Sequence, residues 1–580
     1  MRIVSKLLIL LAIVAPLGAT AQNRAPFKPV HADRAMVVSV HELASEAGLQ
    51  VMRAGGNAID AAVATGFALA VVHPQAGNLG GGGFLLLRTA EGKVHFLDYR
   101  EKAPAAATAN MYLDAQGNVI KDMSTIGYQA IAVPGSVAGL VHAQRKWGKL
   151  KLQKVMEPAI LLARNGFPLS YEDAQSFKDK HLTKFPPSAR IFQRNGNFYR
   201  PGEYFRQPEL AKTLQRISAN PESFYRGDLA RQMVAELQKG GNRITLEDLA
   251  NYEVKEREPI RGTYRGLEVI SAPPPSSGGI ALVQALNILE GYDLAKLGNR
   301  SAASIHLTVE AFRRAMFDRA EFLGDPDFSK IPVAQLIDKR YGNAWRETID
   351  PARATNSREL QRPSGIFNQL DEVARLDRSQ PGVYTEPEHT THYSIVDAQG
   401  NAVAVTTTLN DSFGSRVTLA SLGFLMNNEM DDFAAKQGVP NAYGLIQGPA
   451  NAVGPNKRPL SAMTPTIVLK DGRLFLVLGS PGGPRIITTV ANILMGVVDY
   501  GLTIQEAVNA PRFHHQWLPD SIRMEKVGFS PDTLKLLSDR GHKLDFTGYW
   551  SDGECIAIDP KTGERLGGSD GRNNGKAVGY

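Results

Sequence analysis

The stretch TTHYSIVDAQGNAVAVTTT, residues 390–408, decides the architecture of this chain. Two runs rich in β-branched and aromatic residues flank AQG, and a three-residue loop that ends in glycine is a common hairpin connection. This loop pairs Asp397 with Asn401, so Thr390 lies opposite Thr408 with both side chains on one face of the sheet. A two-residue loop would shift the pairing by one position and would separate the two threonines.

A threonine in this position has two interpretations. Its hydroxyl is a poor nucleophile unless a base removes the proton, and the α-amine of an N-terminal threonine can be that base. Residues 356–388 are polar and contain several prolines and glycines, as is typical of a linker or an excisable boundary. Cleavage there would make Thr390 an N-terminus. The simpler interpretation is that threonine favours strands, and the hairpin alone favours this second view.

Three further motifs are candidates for chemistry or packing. Residues 479–483, GSPGG, follow a predicted strand at 474–478, and their N–H groups could form an oxyanion hole or belong to a tight turn. Residues 427–432, NNEMDD, concentrate carboxylates that could bind an ammonium group or a divalent metal such as calcium, or could be solvated. His514 and His515 lack metal-site spacing, which indicates structural packing.

The glycines at 80–83 do not have the context of a nucleotide site. They follow a predicted pair of helices, residues 42–54 and 58–72, in which Asn57 begins the second and wholly apolar helix. A strand follows them from Phe84, whereas a dinucleotide fingerprint requires the order strand, glycines, helix. We therefore expect a close approach of backbones at these glycines.

Composition excludes several classes of protein. The chain has 580 residues with 43% hydrophobic residues, as in globular proteins that have one large domain or several. Its single cysteine, Cys555, excludes an internal disulfide and cysteine-based metal sites. Lys and Arg number 65 against 58 acidic residues, and this excess of +7 without a dense basic block argues against nucleic-acid binding.

The N-terminus predicts export. Arg2 and Lys6 precede an apolar run at 7–14 and the small-residue motif Ala19-Thr20-Ala21, which together are typical of a secretory signal peptide at residues 1–21. A membrane anchor is the alternative, but the run is too short to span a bilayer comfortably. We expect a periplasmic or secreted protein without a membrane anchor.

In these motifs the chain resembles the γ-glutamyltranspeptidases of the N-terminal-nucleophile hydrolase superfamily, over essentially its whole mature length. The order and number of the matching stretches make the resemblance specific. They are residues 55–62, GGNAIDAA; 73–83, HPQAGNLGGGG; 273–279, PPPSSGG; 390–394, TTHYS; 427–433, NNEMDDF; 454–461, GPNKRPLS; and 479–483.

The resemblance implies an α/β (α+β) fold, a four-layer αββα sandwich that two chains from one precursor build jointly. It also implies self-cleavage of the His389–Thr390 bond. The products are a large subunit, residues 22–389, whose segment 355–389 is mobile, and a small catalytic subunit, residues 390–580. The two subunits form a heterodimer, and no cofactor or metal is implied.

The resemblance also implies a role for each site residue. Thr390 is the nucleophile, Thr408 hydrogen-bonds its hydroxyl, and Gly482 with Gly483 donates the oxyanion-hole N–H groups. The γ-glutamyl group ends in a zwitterion, so we expect a cation and acids set apart around it. The residues implied are Arg100 and Ser461 for the α-carboxylate; Asn410, Glu429 and Asp432 for the α-ammonium; and Tyr443 on a lid loop.

The function implied is that of a γ-glutamyltransferase and glutathione hydrolase. Thr390 attacks the γ-glutamyl amide of glutathione or a related compound, and the acyl group passes to water or to an amino acid or peptide acceptor. Ala462 and Pro484 replace serines that are frequent in the family, and we expect altered affinity or acceptor preference rather than inactivity. The alternatives are a glutaryl or cephalosporin acylase of the same superfamily, and an uncleaved, inactive binding protein.

Overall fold

The computed structural model describes residues 28–371, residue 376 and residues 390–580. The predicted signal peptide, His389 and, of the predicted mobile segment 355–389, residues 372–375 and 377–389 lie outside these residues. Within the described part of the chain, no helix has the length and apolar character needed to cross a bilayer.

Two seven-stranded antiparallel sheets form the centre of the molecule. In chain order the strands are β1 Val30–Ala32, β2 Met36–Ser39, β3 Gly82–Arg88, β4 Val94–Tyr99, β5 Phe167–Pro168, β6 Tyr204–Phe205, β7 Lys255–Arg257, β8 Ile260–Tyr264, β9 Leu267–Ser271, β10 Thr390–Val396, β11 Ala402–Thr408, β12 Thr466–Lys470, β13 Arg473–Leu478, β14 Phe513–His514, β15 Ile522–Glu525, β16 Leu544–Thr547, β17 Glu554–Ile558, β18 Arg565–Ser569 and β19 Lys576–Gly579.

The first sheet has the order β19-β2-β10-β11-β3-β4-β7, and the second has the order β1-β18-β17-β13-β12-β9-β8. Both therefore combine strands from before and after the predicted cleavage point. Smaller sheets are formed by β14-β15-β16 and β5-β6. The two large sheets pack face to face, with β10 and β11 of the first sheet against β17 and β13 of the second.

Helices cover the outer face of each large sheet. The helices are α1 Glu42–Arg53, α2 Ala58–Val72, α3 Ser136–Trp147, α4 Leu152–Asn165, α5 Tyr171–Ser176, α6 Pro186–Gln193, α7 Pro208–Ala219, α8 Ser223–Arg226, α9 Asp228–Lys239, α10 Leu246–Ala250, α11 Gly278–Leu289, α12 Leu294–Leu297, α13 Ala302–Phe322, α14 Val333–Leu336, α15 Lys339–Glu347, α16 Asn368–Asp371, α17 Arg485–Val498, α18 Ile504–Asn509 and α19 Pro531–Asp539. Helices α1 to α3 pack on the first sheet, and α11, α17 and α18 pack on the second. This is the predicted αββα sandwich.

The predicted helix pair at the start of the chain is confirmed. All residues of α2 are buried, as its uniformly apolar sequence requires. Asn57 caps the helix by accepting hydrogen bonds from the N–H groups of Ile59 and Asp60, and the Asp60 carboxylate accepts from the Asn57 N–H at 3.1 Å. The Asp397 carboxylate also accepts from the Ala58 N–H at 2.9 Å, which ties this helix to the hairpin.

The predicted hairpin and its register are also confirmed. Thr390 pairs with Thr408 across β10 and β11. Strand β3 begins at Gly82 rather than at the expected Phe84, because Gly82 and Gly83 pair with Thr408 and Thr407. A Cβ atom at Gly82 would lie 2.6 Å from the Glu101 carboxylate, so only glycine permits this close approach.

Candidate functional site

Thr390 and Thr408 lie at the centre of the candidate site. Thr390 is the first residue of β10, and its Oγ1 is 3.1 Å from the Oγ1 of Thr408. The Thr408 hydroxyl also accepts a hydrogen bond from the Asn410 N–H at 2.8 Å. Both threonines are buried. The Thr408 side chain is therefore fixed from behind and presents its hydroxyl to Thr390.

The glycine turn after β13 lies beside this pair. Gly482 and Gly483 both have positive φ, 126° and 55°, which only glycine adopts without strain. Their carbonyls accept the first hydrogen bonds of α17, from Arg485 and Ile486, both at 3.1 Å. Within the described residues neither glycine N–H has a hydrogen-bond partner. The N–H groups thus remain available for an oxyanion, and Gly483 lines the same pocket as Thr390.

Arg100 anchors the other side of the pocket. It follows β4, its side chain is fully buried, and its Nη1 and Nη2 atoms bind Glu429 and Asp432 respectively. Its Nε donates to the Pro459 carbonyl at 3.1 Å. The expectation that Arg100 and the two acids lie apart is wrong. They form direct ion pairs, because a buried charge without a partner is much less stable than a buried pair.

Glu101 is a buried carboxylate that sequence analysis missed. Its Oε2 lies 3.6 Å from Arg100 Nη1, and within the described residues neither of its carboxylate oxygens has a hydrogen-bond partner. Burial raises the pKa of Glu101 to about 7 and that of Glu429 well above its ordinary value, while Arg100 acts in the opposite direction. Its position next to Arg100 was a signal in the sequence that could have drawn attention to it.

Asn410, Tyr443 and Ser461 complete the predicted set. The Tyr443 hydroxyl donates to Asn410 Oδ1 at 2.9 Å, and its ring lies so near Gly483 that a Cβ atom there would be 2.6 Å from it. The Ser461 hydroxyl accepts from the Met463 N–H at 3.1 Å. One pocket brings together nine of the eleven residues expected at the site: Thr390, Thr408, Asn410, Arg100, Glu429, Asp432, Tyr443, Ser461 and Gly483. Gly482 is adjacent, and His389 lies outside the described residues.

The pocket is small. Its volume is about 20 Å³, which is room for about one water molecule. Ala462 and Pro484, the two departures from the family pattern, line it, as does Arg319 from α13. No motif of the sequence pointed to Arg319. A group of glutamyl size can enter only if the ion pairs of Arg100 or the Tyr443 segment move.

Thr390 also lines a second, larger cavity of about 350 Å³. Its walls include His41, Gln75, Trp550 and Ser551. The Gln75 Oε1, Trp550 Nε1 and Ser551 Oγ atoms are buried, and they have no hydrogen-bond partner within the described residues. The candidate nucleophile therefore stands between a small charged pocket and a larger polar cavity, an arrangement that sequence analysis did not foresee.

The remaining candidate groups have structural roles. His514 is buried and hydrogen-bonds Thr488 and Gln516, as the packing interpretation predicted. Elsewhere in the described part of the chain, three potential metal ligands come together: His306, Glu310 and His542. His306 Nδ1 and His542 Nε2 hydrogen-bond each other at 2.7 Å, and Glu310 is paired with Arg313 and Arg314. These groups are already satisfied, which does not favour a metal there.

Comparison with known proteins gives a consistent result. The model of the gamma-glutamyltranspeptidase family matches residues 44–580. The chain is 49% identical over 551 residues to the glutathione hydrolase proenzyme of Escherichia coli (strain K12), covering 94% of this chain and 92% of that protein.

Two solved structures are similar to the whole fold or to a large part of it. A cephalosporin acylase from Bacillus halodurans superposes with a TM-score of 0.79 at 27% identity, over 98% of this chain and 99% of its own. A chain of the gamma-glutamyltranspeptidase of Helicobacter pylori superposes with a TM-score of 0.55 at 46% identity, over 56% of this chain and 95% of its own.

Proposed function

Because the chain belongs to the gamma-glutamyltranspeptidase family, we propose that it hydrolyses and transfers γ-glutamyl groups with Thr390 as its nucleophile. Glutathione is the proposed donor, since the E. coli relative is a glutathione hydrolase proenzyme. The observation that carries the proposal is the 3.1 Å contact between the hydroxyls of Thr390 and Thr408 in a pocket with Arg100, Glu429 and Asp432. An activated hydroxyl and charges for a zwitterion then lie in one site.

The proposed reaction begins after the 389–390 peptide bond is cleaved. The freed α-amine of Thr390 takes the proton of its own hydroxyl, and Oγ1 attacks the γ-carbonyl carbon of the donor. The N–H groups of Gly482 and Gly483 stabilise the oxyanion. As the C–N bond breaks, the amine nitrogen leaves with the proton that the α-amine holds. Water or an acceptor amine then attacks the ester and releases Thr390.

Binding of the donor requires an exchange of ion pairs. The α-carboxylate of the γ-glutamyl group takes donors of Arg100 that Glu429 and Asp432 occupy, and its α-ammonium pairs with the acids thus released. The exchange keeps the number of buried charge pairs balanced, which limits its cost. Asn410, held by the hydroxyl of Tyr443, is placed to accept from the ammonium.

A glutaryl or cephalosporin acylase is the second candidate, because the B. halodurans acylase has the same overall fold. A glutaryl group has a carboxylate but no ammonium. Its binding to Arg100 would leave Glu429 and Asp432 buried without a cation, which is unfavourable. The two acids of the pocket therefore favour γ-glutamyl over glutaryl groups as the donor. The third candidate, an uncleaved binding protein, gives no role to the Thr390–Thr408 contact.

The precursor organisation is also proposed. A signal peptide at residues 1–21 would direct the protein to the periplasm or the medium. Self-cleavage would then give a large subunit, residues 22–389, and a small subunit, residues 390–580, which stay together as a heterodimer. The proenzyme name of the E. coli relative supports cleavage. The pairing of β10 and β11 with β2 and β3 supports a stable two-chain product, since one sheet joins both parts.

Intact-mass spectrometry of the purified protein, with N-terminal analysis of each chain, tests the proposal. We expect two chains, one of which begins at Thr390, and we expect Thr390→Ala to remain one chain without activity. The wild type should release glutamate from glutathione, and it should cleave a γ-glutamyl anilide at least tenfold faster than the glutaryl anilide. An unbroken wild-type chain, or a Thr390→Ala variant with wild-type turnover, would refute the assignment of Thr390.

A further inference from the structure

Arg319 is a buried cation in the pocket for which the proposed reaction has no role so far. It lies in the last turn of α13, 3% exposed, and it lines the pocket of Thr390. Its Nε donates to the Ser277 hydroxyl at 2.9 Å. Its Nη1 is buried without a hydrogen-bond partner, and among the described residues no carboxylate lies within ion-pair distance of it.

The other buried arginines of α13 have carboxylate partners within the described residues, unlike Arg319. Arg313 and Arg314, on the same helix and equally buried, both pair with the Glu310 carboxylate. A buried guanidinium without an anion is strongly unfavourable. Burial lowers the pKa of Arg319 to about 10, so it remains charged at neutral pH. Asp432, which acts on Arg319 through its charge, is already bound to Arg100.

We propose that Arg319 is a substrate-binding residue that pairs through Nη1 with the α-carboxylate of the γ-glutamyl donor. This inference rests on the proposed function and extends it. Arg100 has its Nη atoms on Glu429 and Asp432, whereas the buried Nη1 of Arg319 has no hydrogen-bond partner within the described residues. The carboxylate that takes donors of Arg100 in the proposed function also supplies the anion that Arg319 lacks, so the two arginines bind it together. A guanidinium suits this ligand because its N–H groups match the two oxygens of a carboxylate.

Hydrogen bonds through Ser277 also fix the Arg319 side chain before a ligand binds. Ser277 accepts from Arg319 Nε and donates through the same hydroxyl to the Ser461 carbonyl at 2.6 Å. The Ser277 N–H donates to that carbonyl as well, at 2.8 Å. Arg319 is thereby linked to the pocket wall at Ser461. Since the guanidinium is fixed in advance, less side-chain freedom is lost when the carboxylate binds.

Two anilide donors test this assignment. One is γ-glutamyl-4-nitroanilide, and the other is 4-aminobutanoyl-4-nitroanilide, which has the same chain and ammonium but no α-carboxylate. For Arg319→Gln we expect the KM of the first to rise about 10- to 100-fold, the range of one charge-assisted hydrogen bond. The kcat should change less than about threefold, and kcat/KM for the second donor should be affected far less than for the first. Arg319→Lys, which keeps the charge, should give an intermediate KM.

The matched control is Ser277→Ala, which removes the contact of Arg319 Nε but keeps its Nη1. If Arg319 only supported Ser277, both variants would impair the two donors equally, and this result would overturn the proposal. An unchanged KM for the γ-glutamyl donor in Arg319→Gln would also overturn it. Thermal unfolding and the mass of the cleaved chains establish that each variant folds and matures.

A binding measurement separates this inference from the proposed function. Calorimetric titration with L-glutamate and with 4-aminobutanoate requires no turnover. We expect Arg319→Gln to raise the Kd of L-glutamate at least tenfold and to leave the Kd of 4-aminobutanoate within about twofold of the wild-type value. If the wild type cleaves neither anilide, the proposed function fails while this comparison still decides the role of Arg319. Equal weakening of both ligands would refute it.

Discussion

Replacement of Thr408 by valine is the sharpest probe of the candidate nucleophile. Valine has nearly the shape of threonine, so the strand β11 and its neighbours keep their packing. The change removes one hydroxyl, which lies 3.1 Å from Thr390 Oγ1 and accepts from the Asn410 N–H at 2.8 Å. Thr408→Val thus tests the contact on which the proposed mechanism depends.

The two lost hydrogen bonds have separate consequences. The Asn410 N–H becomes a buried donor without a partner, which should lower the free energy of unfolding by about 1–3 kcal/mol. The hydroxyl of Thr390 loses the partner that orients it for attack. One neutral hydrogen bond of this kind contributes about 1–2 kcal/mol to the transition state, so kcat/KM should fall about 5- to 30-fold.

The assay is hydrolysis of a γ-glutamyl anilide by fully cleaved enzyme, with the mass of both chains measured first. Thr407→Val is the matched control, because the hydroxyl of Thr407 donates to the Gly82 carbonyl at 2.7 Å rather than to Thr390. It should lose similar stability and retain kcat/KM within about twofold. A Thr408→Val enzyme with wild-type kcat/KM, or an equal loss in Thr407→Val, would refute the reasoning.

Three further predictions concern the walls of the pocket. Tyr443→Phe removes the hydrogen bond to Asn410, so the KM of the donor should rise about 3- to 10-fold with little change in kcat; an unchanged KM would contradict this. Gly483→Ala combines a φ of 55° with a Cβ atom 2.6 Å from the Tyr443 ring, so kcat should fall about 10- to 100-fold, and a wild-type kcat would exclude an oxyanion role for this turn. Because burial raises the pKa of Glu101 to about 7, the Glu101 carboxylate gains negative charge as pH rises from 6 to 8. The added charge attracts the ammonium, so the donor KM should fall about threefold over this range; Glu101→Gln should abolish the fall, and a KM that rises with pH would contradict the assignment.

Much of the fold follows from local pattern. The apolar run of α2 with its Asn57 cap, the hairpin at 390–408 and its register are all confirmed. The physical reason is that each depends on residues close in the chain: Thr390 and Thr408 are 18 residues apart and joined by one short loop. The period of a strand then fixes which side chains share a face.

For the candidate site, the sequence predicted which residues take part but not how their charges are arranged. Motif resemblance named the residues, and the structure brings nine of them to one pocket. The motif resemblance did not indicate that Arg100 binds Glu429 and Asp432 directly, nor that Glu101 is buried beside them. Residue types alone do not give the distances between charges, and the distances decide which groups form ion pairs.

The sequence by itself determined the first two helices, the two strands and the register of the hairpin at 390–408, and the threonine at the start of that hairpin. The tertiary structure alone decided the electrostatics of the pocket and the isolation of Arg319. Arg100 and Glu429 are 329 residues apart, and Arg319 reaches the pocket from the last turn of α13. Such contacts arise from the packing of sheets and helices on one another, and no local periodicity encodes the distances that this packing creates.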